Sequence, residues 1–383
     1  MARARAIALK AIIISAFLLG TACFFSGPLV ISALSRAIDK NLPGSRTRIK
    51  ACVLWPPGHC RITGIEIRRN KAYYVSIPQL IARFGFSFTD RLPFCDLSLK
   101  GPAVGLDLPG IPSADILRTG DRGPGKGFAV RKLNVDGLTV TVKTADASVD
   151  AQGAFALDLR AGLIDWVDLD SRSFEFRQIK GGGARLSLVR GGRGDLHIEK
   201  LSAGKLNARN IKARPFLSGR QVDLQDASFD LFEGIVSGSG RINLQKGLAY
   251  EASIKASGID MALFIKDFDL KKKIELSGKA QGTLNVKGSL QGVESVFADI
   301  KTADPGGIFN ITDESIIDGL AKRSGQAKDI IRSSFTDYHY ESAQSRLTTE
   351  GRKVVLDTVF EGVTGKRTLK VVLHDFAIQG GVK

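Results

Sequence analysis

Side chains able to carry out catalysis are scarce in this sequence, which has four histidines and four cysteines among 383 residues. The histidines are widely separated: His59, His197, His339 and His374. Two pairs of carboxylates have the spacing at which side chains share a strand face: Asp168/Asp170 and Asp267/Asp269. A solvated strand face explains both pairs more simply than acid–base catalysis, and no serine-hydrolase, phosphate-loop or zinc-protease motif is present. The sequence therefore predicts no enzymatic activity, no metal site and no cofactor.

The cysteines indicate a disulfide more readily than a metal site. Cys52 and Cys60 flank Pro56-Pro57-Gly58, a turn sequence that would let two strands bring the cysteines together. An oxidising compartment would permit the bond. Two alternatives stay open, a pair of buried thiols and a bond from Cys95 to either cysteine. Zinc is not expected, because the chain has no second cysteine–histidine cluster.

The N-terminal region contains an apolar segment, Ala11–Leu34, which is 24 residues long and carries no charge. About 20 apolar helical residues cross the ~30 Å hydrocarbon layer of a membrane. A cleaved signal peptide would have a shorter apolar region, and a lipoprotein would need a leucine at the position of Gly20, three residues before Cys23. We therefore predict an uncleaved signal anchor within residues 1–35.

Basic residues flank both ends of this segment, so their distribution does not decide its orientation. Long domains are translocated largely regardless of charge, and we expect the domain that follows to be exported. The prediction is a single-pass protein of the bacterial inner membrane, with the bulk of the chain in the periplasm. Export also disfavours nucleic acid as the partner of this basic chain, whose net charge is +16. Solubility or attraction to anionic lipid surfaces explains that charge instead.

Beyond the apolar segment, apolar and polar residues alternate with a period of two, which is typical of antiparallel strands with one wet face. The pattern changes phase at Gly137, where a bulge or tight turn is expected. Residues 111–127 are predicted to form a loop. A helix is predicted near 313–335, where Asp313 or Thr312 can cap the start and Gly319 and Gly325 can split the segment. A shorter helical turn is predicted at Met261–Phe268. The pattern alone leaves open a sandwich, a closed barrel and an open, curled sheet.

Several segments carry a resemblance to a known family. They are, in order, FEGIVSGSGRINL at 232–244, ASGIDMALFIKDF at 256–268, IELSGKAQGTLNVKGSL at 274–290 and GGIFNI at 306–311. Together they resemble the C-terminal part of the AsmA-like family of bacterial envelope proteins. The tail, with Phe335 and the sequence Asp337-Tyr338-His339-Tyr340, is similar to the YdbH type within that group. The resemblance divides the exported chain into an N-terminal β region (36–110), a middle β region (111–227) and an AsmA-like C-terminal β region (228–383).

This resemblance implies a mainly β protein whose transmembrane helix leads into an elongated, curled antiparallel groove with a few short helices. The groove would shelter phospholipid acyl chains during transport between the inner and outer membranes, with no catalytic residues. About 20 strands spaced ~4.8 Å apart would make it at most ~100 Å long. The expected lining residues are apolar: Leu106, Leu138, Val140, Leu157, Leu186, Ile242, Leu284 and Val286.

The expected partners are phospholipid, the inner membrane through residues 11–34, and proteins of the periplasm or outer membrane. The alternative function is a scaffold for envelope assembly that transports no lipid and binds protein partners. In a scaffold, side chains or the 313–335 helix would fill the groove. In a transporter, we expect that helix to cap one end of the sheet, where exposed edge strands need cover.

Overall fold

The computed structural model describes residues 27–32, 34–36, 38, 46–55, 58–69, 73–87, 92–108, 129–161, 163–244, 249–289, 292–351 and 353–373. Strands make up 73% of these residues, which confirms the mainly β fold. The chain divides into two compact units between Arg177 and Gln178. We call them the first unit and the second unit.

The first unit contains eight strands: β1 (Arg46–Trp55), β2 (His59–Arg69), β3 (Tyr73–Ser87), β4 (Leu92–Lys100), β5 (Ala103–Leu108), β6 (Ala129–Thr144), β7 (Ala147–Asp158) and β8 (Leu163–Phe176). Hairpin neighbours pair antiparallel from β1 to β4 and again from β6 to β8. β4 and β5 both pair with β3, so they behave as one long strand interrupted at Gly101, whose φ is +60°.

The expectation of purely antiparallel pairing is wrong at one place, because β6 runs parallel to both β4 and β5. Twenty residues, 109–128, separate β5 from β6 in the sequence. Parallel neighbours need a connection of a dozen or more residues, and this segment is long enough to supply one. A period-two pattern reports which residues share a face but does not distinguish the two strand directions.

The second unit contains fourteen strands: β9 (Ile179–Val189), β10 (Asp195–Ala203), β11 (Leu206–Ser218), β12 (Gln221–Leu231), β13 (Gly234–Asn243), β14 (Ala249–Asp260), β15 (Ile274–Leu276), β16 (Lys279–Ser289), β17 (Gly292–Thr302), β18 (Gly307–Ile311), β19 (Tyr338–Tyr340), β20 (Ser342–Glu350), β21 (Lys353–Gly362) and β22 (Gly365–Leu373). The main sheet runs antiparallel from β9 to β14, then through β16, β17, β20, β21 and β22. A second, three-stranded sheet contains β15, β18 and β19.

Three short helices belong to the second unit: α1 (Met261–Asp267), α2 (Glu314–Ser324) and α3 (Lys328–Phe335). The Asp260 carboxylate caps α1 by accepting a hydrogen bond from the backbone N–H of Leu263 at 3.0 Å. Asp313 caps α2 in the same way. Gly325 ends α2 in the left-handed conformation (φ 69°). The expected split of the 313–335 segment at Gly325 is therefore confirmed.

Bulges with left-handed residues correct the phase of several strands. Gly137, Asp226 and Gly258 have φ of 67°, 49° and 69° and lie where the register shifts in β6, β12 and β14. The extra residue at Gly137 keeps Val135 and Leu138 on the same side of the sheet, although they are an odd number of residues apart. The predicted phase change at Gly137 is thus confirmed as a bulge.

The described residues include little of the predicted membrane segment. Residues 27–32, 34–36 and 38 are helical, whereas residues 11–26 lie outside the described residues, as do the expected loop at 111–127 and His374. No helix in the described ranges is long and apolar enough to cross a membrane.

Glycines at certain strand positions give the next strand room to approach closely. A Cβ on Gly282 would overlap the backbone oxygen of Asp299 on β17, and one on Gly238 would overlap that of Ser253 on β14. Both glycines lie on the sheet face that carries Leu284 and Ile254. The neighbouring backbone therefore comes close to these two positions, which only glycine leaves free.

We expect Gly282→Ala and Gly319→Ala to have opposite effects on stability. Alanine at 282 must displace the backbone of β17, so the free energy of unfolding should fall by about 1–3 kcal/mol. Nothing lies within 4 Å of the Cβ position of Gly319 in α2, and alanine there should stabilise by about 0.5–1 kcal/mol. Denaturant unfolding of the full chain checks both values. Equal effects at the two positions would contradict the close approach.

Candidate functional site

One face of the sheet in the first unit is apolar on every strand, because directly paired residues project to the same side. Across β1, β2 and β3 this face carries Leu54 opposite Cys60, then Ile62 opposite Leu80. On the later strands, direct pairs and strand alternation place the following residues on the same face: Leu97, Val104, Leu106, Leu133, Val135, Leu138, Val140, Val142, Val149, Phe155, Leu157, Val167, Leu169 and Phe174. We call this surface the first apolar face.

The second unit has an equivalent surface, which we call the second apolar face. It runs across the main sheet in rows of paired residues, such as Ile254, Leu284 and Ala298 on β14, β16 and β17. Its other members follow from the same registers: Leu186, Leu196, Ile198, Ala213, Leu217, Val222, Leu224, Val236, Ile242, Tyr250, Ala252, Val286, Val296, Ile300, Leu347, Leu356, Phe360 and Leu369.

All eight residues that the sequence singled out lie on these two surfaces. The first apolar face holds Leu106, Leu138, Val140 and Leu157, and the second holds Leu186, Ile242, Leu284 and Val286. Each is half-buried. The residues predicted to line the groove did not include Ile254 and Phe155, which the same alternation identifies. They also did not include Gly238 and Gly282, because glycine carries no hydropathy signal.

The reverse faces of both sheets carry many exposed charged residues. On β12 and β13, Arg241 donates to Asp223 at 2.9 Å, and this hydrogen bond lowers the pKa of the Asp223 carboxyl. Lys287 pairs with Glu251 at 2.9 Å on the strands that also carry Leu284 and Ile254. A strand such as β14 thus alternates between half-buried and exposed residues from Tyr250 to Ser257.

A buried cluster covers the first apolar face at β1–β4. Its buried members include Ile62, Ile65 and Cys95, and half-buried Val30, Ile31, Leu34 and Ile38 pack against it. The helical residues at the end of the apolar N-terminal segment, and Ile38 just after it, therefore lie on the sheet at the strands that come first in the chain.

A second buried cluster, which we call the C-terminal cap, covers the second apolar face at β20–β22. Phe309 of β18 stacks on Phe360 of β21 with ring centroids 4.6 Å apart, and Phe335 of α3 meets Phe309 edge-on. The Tyr340 hydroxyl donates to the backbone oxygen of Ser277, and burial raises the pKa of Tyr340 to about 12. The three-stranded sheet and the pair α2–α3 therefore form a second layer over this end of the main sheet.

Ion pairs hold α2 to α3 on the exposed side of the cap. Glu314 accepts hydrogen bonds from Arg332 at 2.7 Å and pairs with Lys328 at 2.9 Å, while Lys328 also reaches Asp318 at 2.6 Å. Hydrogen bonding to Arg332 is the main reason that the pKa of Glu314 falls to about 2. The Glu314 carboxylate consequently stays ionised through the mildly acidic range.

Outside these two covered areas, neither face has a further buried cluster among the described residues. Among the described residues, strands β5–β8, β9–β14, β16 and β17 contribute nothing to either buried cluster. Most of the apolar side chains on these strands are half-buried, while a few, such as Val135, Leu217 and Val236, are buried. A monomeric soluble protein rarely leaves so large an apolar surface open.

The polar candidates do not form a reactive site. Asp168 and Asp170 lie opposite Ala154 and Gln152 on the reverse face of β8. Asp267 ends α1, with Asp269 two residues further on, and His339 pairs only with the exposed Asp337 at 3.3 Å among described groups. Nowhere in the described ranges do three or more histidine, cysteine or acidic side chains come together as metal ligands would.

Comparisons with known proteins identify one family. A family model described as YdbH-like, intermembrane phospholipid transport protein YdbH, matches residues 124–364, which is more than half of the chain. No curated protein and no solved structure matches the chain.

The structure places the Sγ atoms of Cys52 and Cys60 3.5 Å apart in the first buried cluster. All three described cysteines are buried free thiols, and Cys95 is the third. Burial, followed by the hydrogen bond with Cys52, raises the pKa of the Cys60 thiol to about 12. Because the thiolate is the form that reacts in thiol–disulfide exchange, the Cys60 thiol reacts slowly once the chain is folded.

We propose that Cys52 and Cys60 form a disulfide when the chain folds in an oxidising compartment. Peptide mapping of exported, unreduced protein should recover the two cysteines joined, with Cys95 alkylated only after unfolding. Cys95→Ser should leave that map unchanged. Recovery of Cys52 and Cys60 as two alkylated thiols would contradict the bond.

Proposed function

The chain belongs to the YdbH-like family of intermembrane phospholipid transport proteins, and from that premise we propose that its apolar faces shelter phospholipid acyl chains as lipid moves between the inner and outer membranes. The family is one of transport proteins and not of enzymes, which confirms the sequence-based expectation of no catalytic function. The proposal extends the family function to particular surfaces of this chain.

The observation that carries the proposal is the uncovered, half-buried state of the apolar faces. At row 254–284–298 of the second unit, three apolar residues on adjacent strands lie side by side, while their chain neighbours point to water. At Gly282, which lies on the same face, the backbone of β17 approaches closely. These features support a curled, trough-like surface that an acyl chain can occupy without displacing a protein layer.

The energetics of such a surface suit transport. Each methylene removed from water contributes about 0.8 kcal/mol, so an acyl chain gains several kcal/mol on an apolar face. Rows of similar aliphatic side chains keep that free-energy gain nearly constant from strand to strand. The lipid therefore meets no single position that binds it much more tightly than the next. The headgroup stays in water at the margin, where charged residues of the reverse face begin.

We place the protein in the envelope as a single-pass inner-membrane protein anchored through the segment Ala11–Leu34, with the later chain in the periplasm. The last residues of that segment, including Val30, Ile31 and Leu34, pack on β1–β4 and would lie at the membrane surface. The uncharged 24-residue segment supports this placement. The C-terminal cap would close one end of the second apolar face, and a periplasmic or outer-membrane protein would receive the lipid.

The test is a charge placed on the apolar face and the same charge placed one residue away on the reverse face. Leu284→Asp should lower co-purified phospholipid on the order of 50-fold, because about three methylene contacts are lost at ~0.8 kcal/mol each. Thr283→Asp, on the exposed side of β16, should leave the lipid content unchanged. Native mass spectrometry and lipid extraction of the full chain measure the content, and circular dichroism checks the fold.

Leu157→Asp repeats the test in the first unit. The native strand already carries an acidic residue, Asp158, at the next position, so no second variant is needed there. A wild-type chain that is folded and carries no more phospholipid than a soluble control would contradict the proposal. That outcome would favour the alternative of a scaffold that binds envelope proteins.

A further inference from the structure

The first strand of the sheet has an unusual composition for an exposed edge. Among the described strands only β2 pairs with β1, so β1 is an edge strand of the described part of the sheet. Its sequence, RTRIKACVLW, contains three basic residues and no acidic one. Sheet edges commonly carry charge, but this edge also carries an exposed tryptophan.

The exposed residues of β1 combine cationic and interfacial apolar groups. Trp55 is 62% exposed and Val53 is 44% exposed. Arg46, Arg48 and Lys50 are also exposed. Tryptophan concentrates at membrane–water interfaces, and basic side chains at such a surface attract anionic lipid headgroups.

The positive charges of this edge are not neutralised by the residues around them. Glu66 lies opposite Arg48 in the register, but its carboxylate pairs with Arg68 at 3.4 Å. Within the described part of the chain, Arg46, Arg48 and Lys50 form no salt bridge. Three charges without a protein partner are therefore available to an anionic surface.

The N-terminal part of the chain reaches the sheet at this same strand. A Cβ on Gly27 would meet the backbone oxygen of Cys52 at 2.5 Å, so the chain passes directly against β1 there. Gly27 belongs to the uncharged segment Ala11–Leu34. The longest apolar run of the sequence and the basic, aromatic edge thus meet at one place.

We propose that the β1 edge docks on the surface of a bilayer containing anionic phospholipids. Trp55 lies at the boundary between headgroups and acyl chains, and Arg46, Arg48 and Lys50 contact headgroup phosphates. Docking holds the first apolar face beside the membrane. The proposal goes beyond the proposed function, because it does not depend on whether the apolar faces carry acyl chains.

The two tryptophans of the chain make the docking measurable. Trp166→Phe leaves Trp55 as the reporter, and Trp55→Phe leaves Trp166, which lies on the reverse face of β8. Six strand spacings of about 4.8 Å separate β1 from β8 along the sheet. Full-length chain is reconstituted in nanodiscs of phosphatidylglycerol and phosphatidylcholine that contain brominated acyl chains, and quenching of tryptophan fluorescence is recorded.

The expected result is strong quenching of Trp55 and little quenching of Trp166. In the Trp166→Phe background, Arg46→Gln together with Arg48→Gln should lower the ratio of docked to undocked chains about 25-fold, since each basic residue contributes roughly fivefold. Nanodiscs of phosphatidylcholine alone should give a larger loss, about 125-fold, because Lys50 then also lacks an anionic headgroup to contact.

Equal quenching of the two tryptophans, or none at Trp55, would overturn the docking. The docking would also be overturned if Trp55 were quenched to the same extent with and without anionic lipid and with and without the arginine substitutions, because the basic residues would then have no role. Lipid on the apolar faces reaches neither reporter, since both tryptophans are on reverse faces, so this test can fail while the proposed transport function holds.

Discussion

The two-residue period of the strands, kept in register from one strand to the next, is the constraint on which the structure depends. A slip of one residue would turn every apolar side chain of a strand toward water. Long strands drift from this period, and the bulges at Gly137, Asp226 and Gly258 restore it. The left-handed conformation at these positions therefore keeps the apolar faces unbroken, which the proposed sheltering of acyl chains requires.

Which parts of these faces are buried under a second layer of protein is as informative as which residues compose them. Aromatic stacking of Phe309 on Phe360 closes one end of the second apolar face, and helical residues around Ile31 cover β1–β4 of the first. Elsewhere the described residues supply no second layer. A folded protein tolerates such a surface when a ligand provides the missing layer, and the family identifies phospholipid as the molecule transported.

Much of this could be predicted from the sequence, because alternation, glycine and capping residues act locally. The bulge at Gly137, the cap at Asp313 and the helix end at Gly325 follow from nearest neighbours alone. The parallel pairing of β6 and the bond from Tyr340 to Ser277 could not be predicted, since they join residues far apart in sequence. That Glu66 does not pair with Arg48, which lies opposite it, could not be predicted either, because Glu66 pairs with Arg68 instead.

The central claim is that phospholipid contacts one face of the sheet and not the other. A photoreactive amino acid introduced singly at each position from 283 to 287 of the full-length chain, in living cells, tests this most directly. The account predicts phospholipid cross-links at positions 284 and 286 and none at 283, 285 and 287. Cross-links without this two-residue period, or their absence at every position, would contradict it.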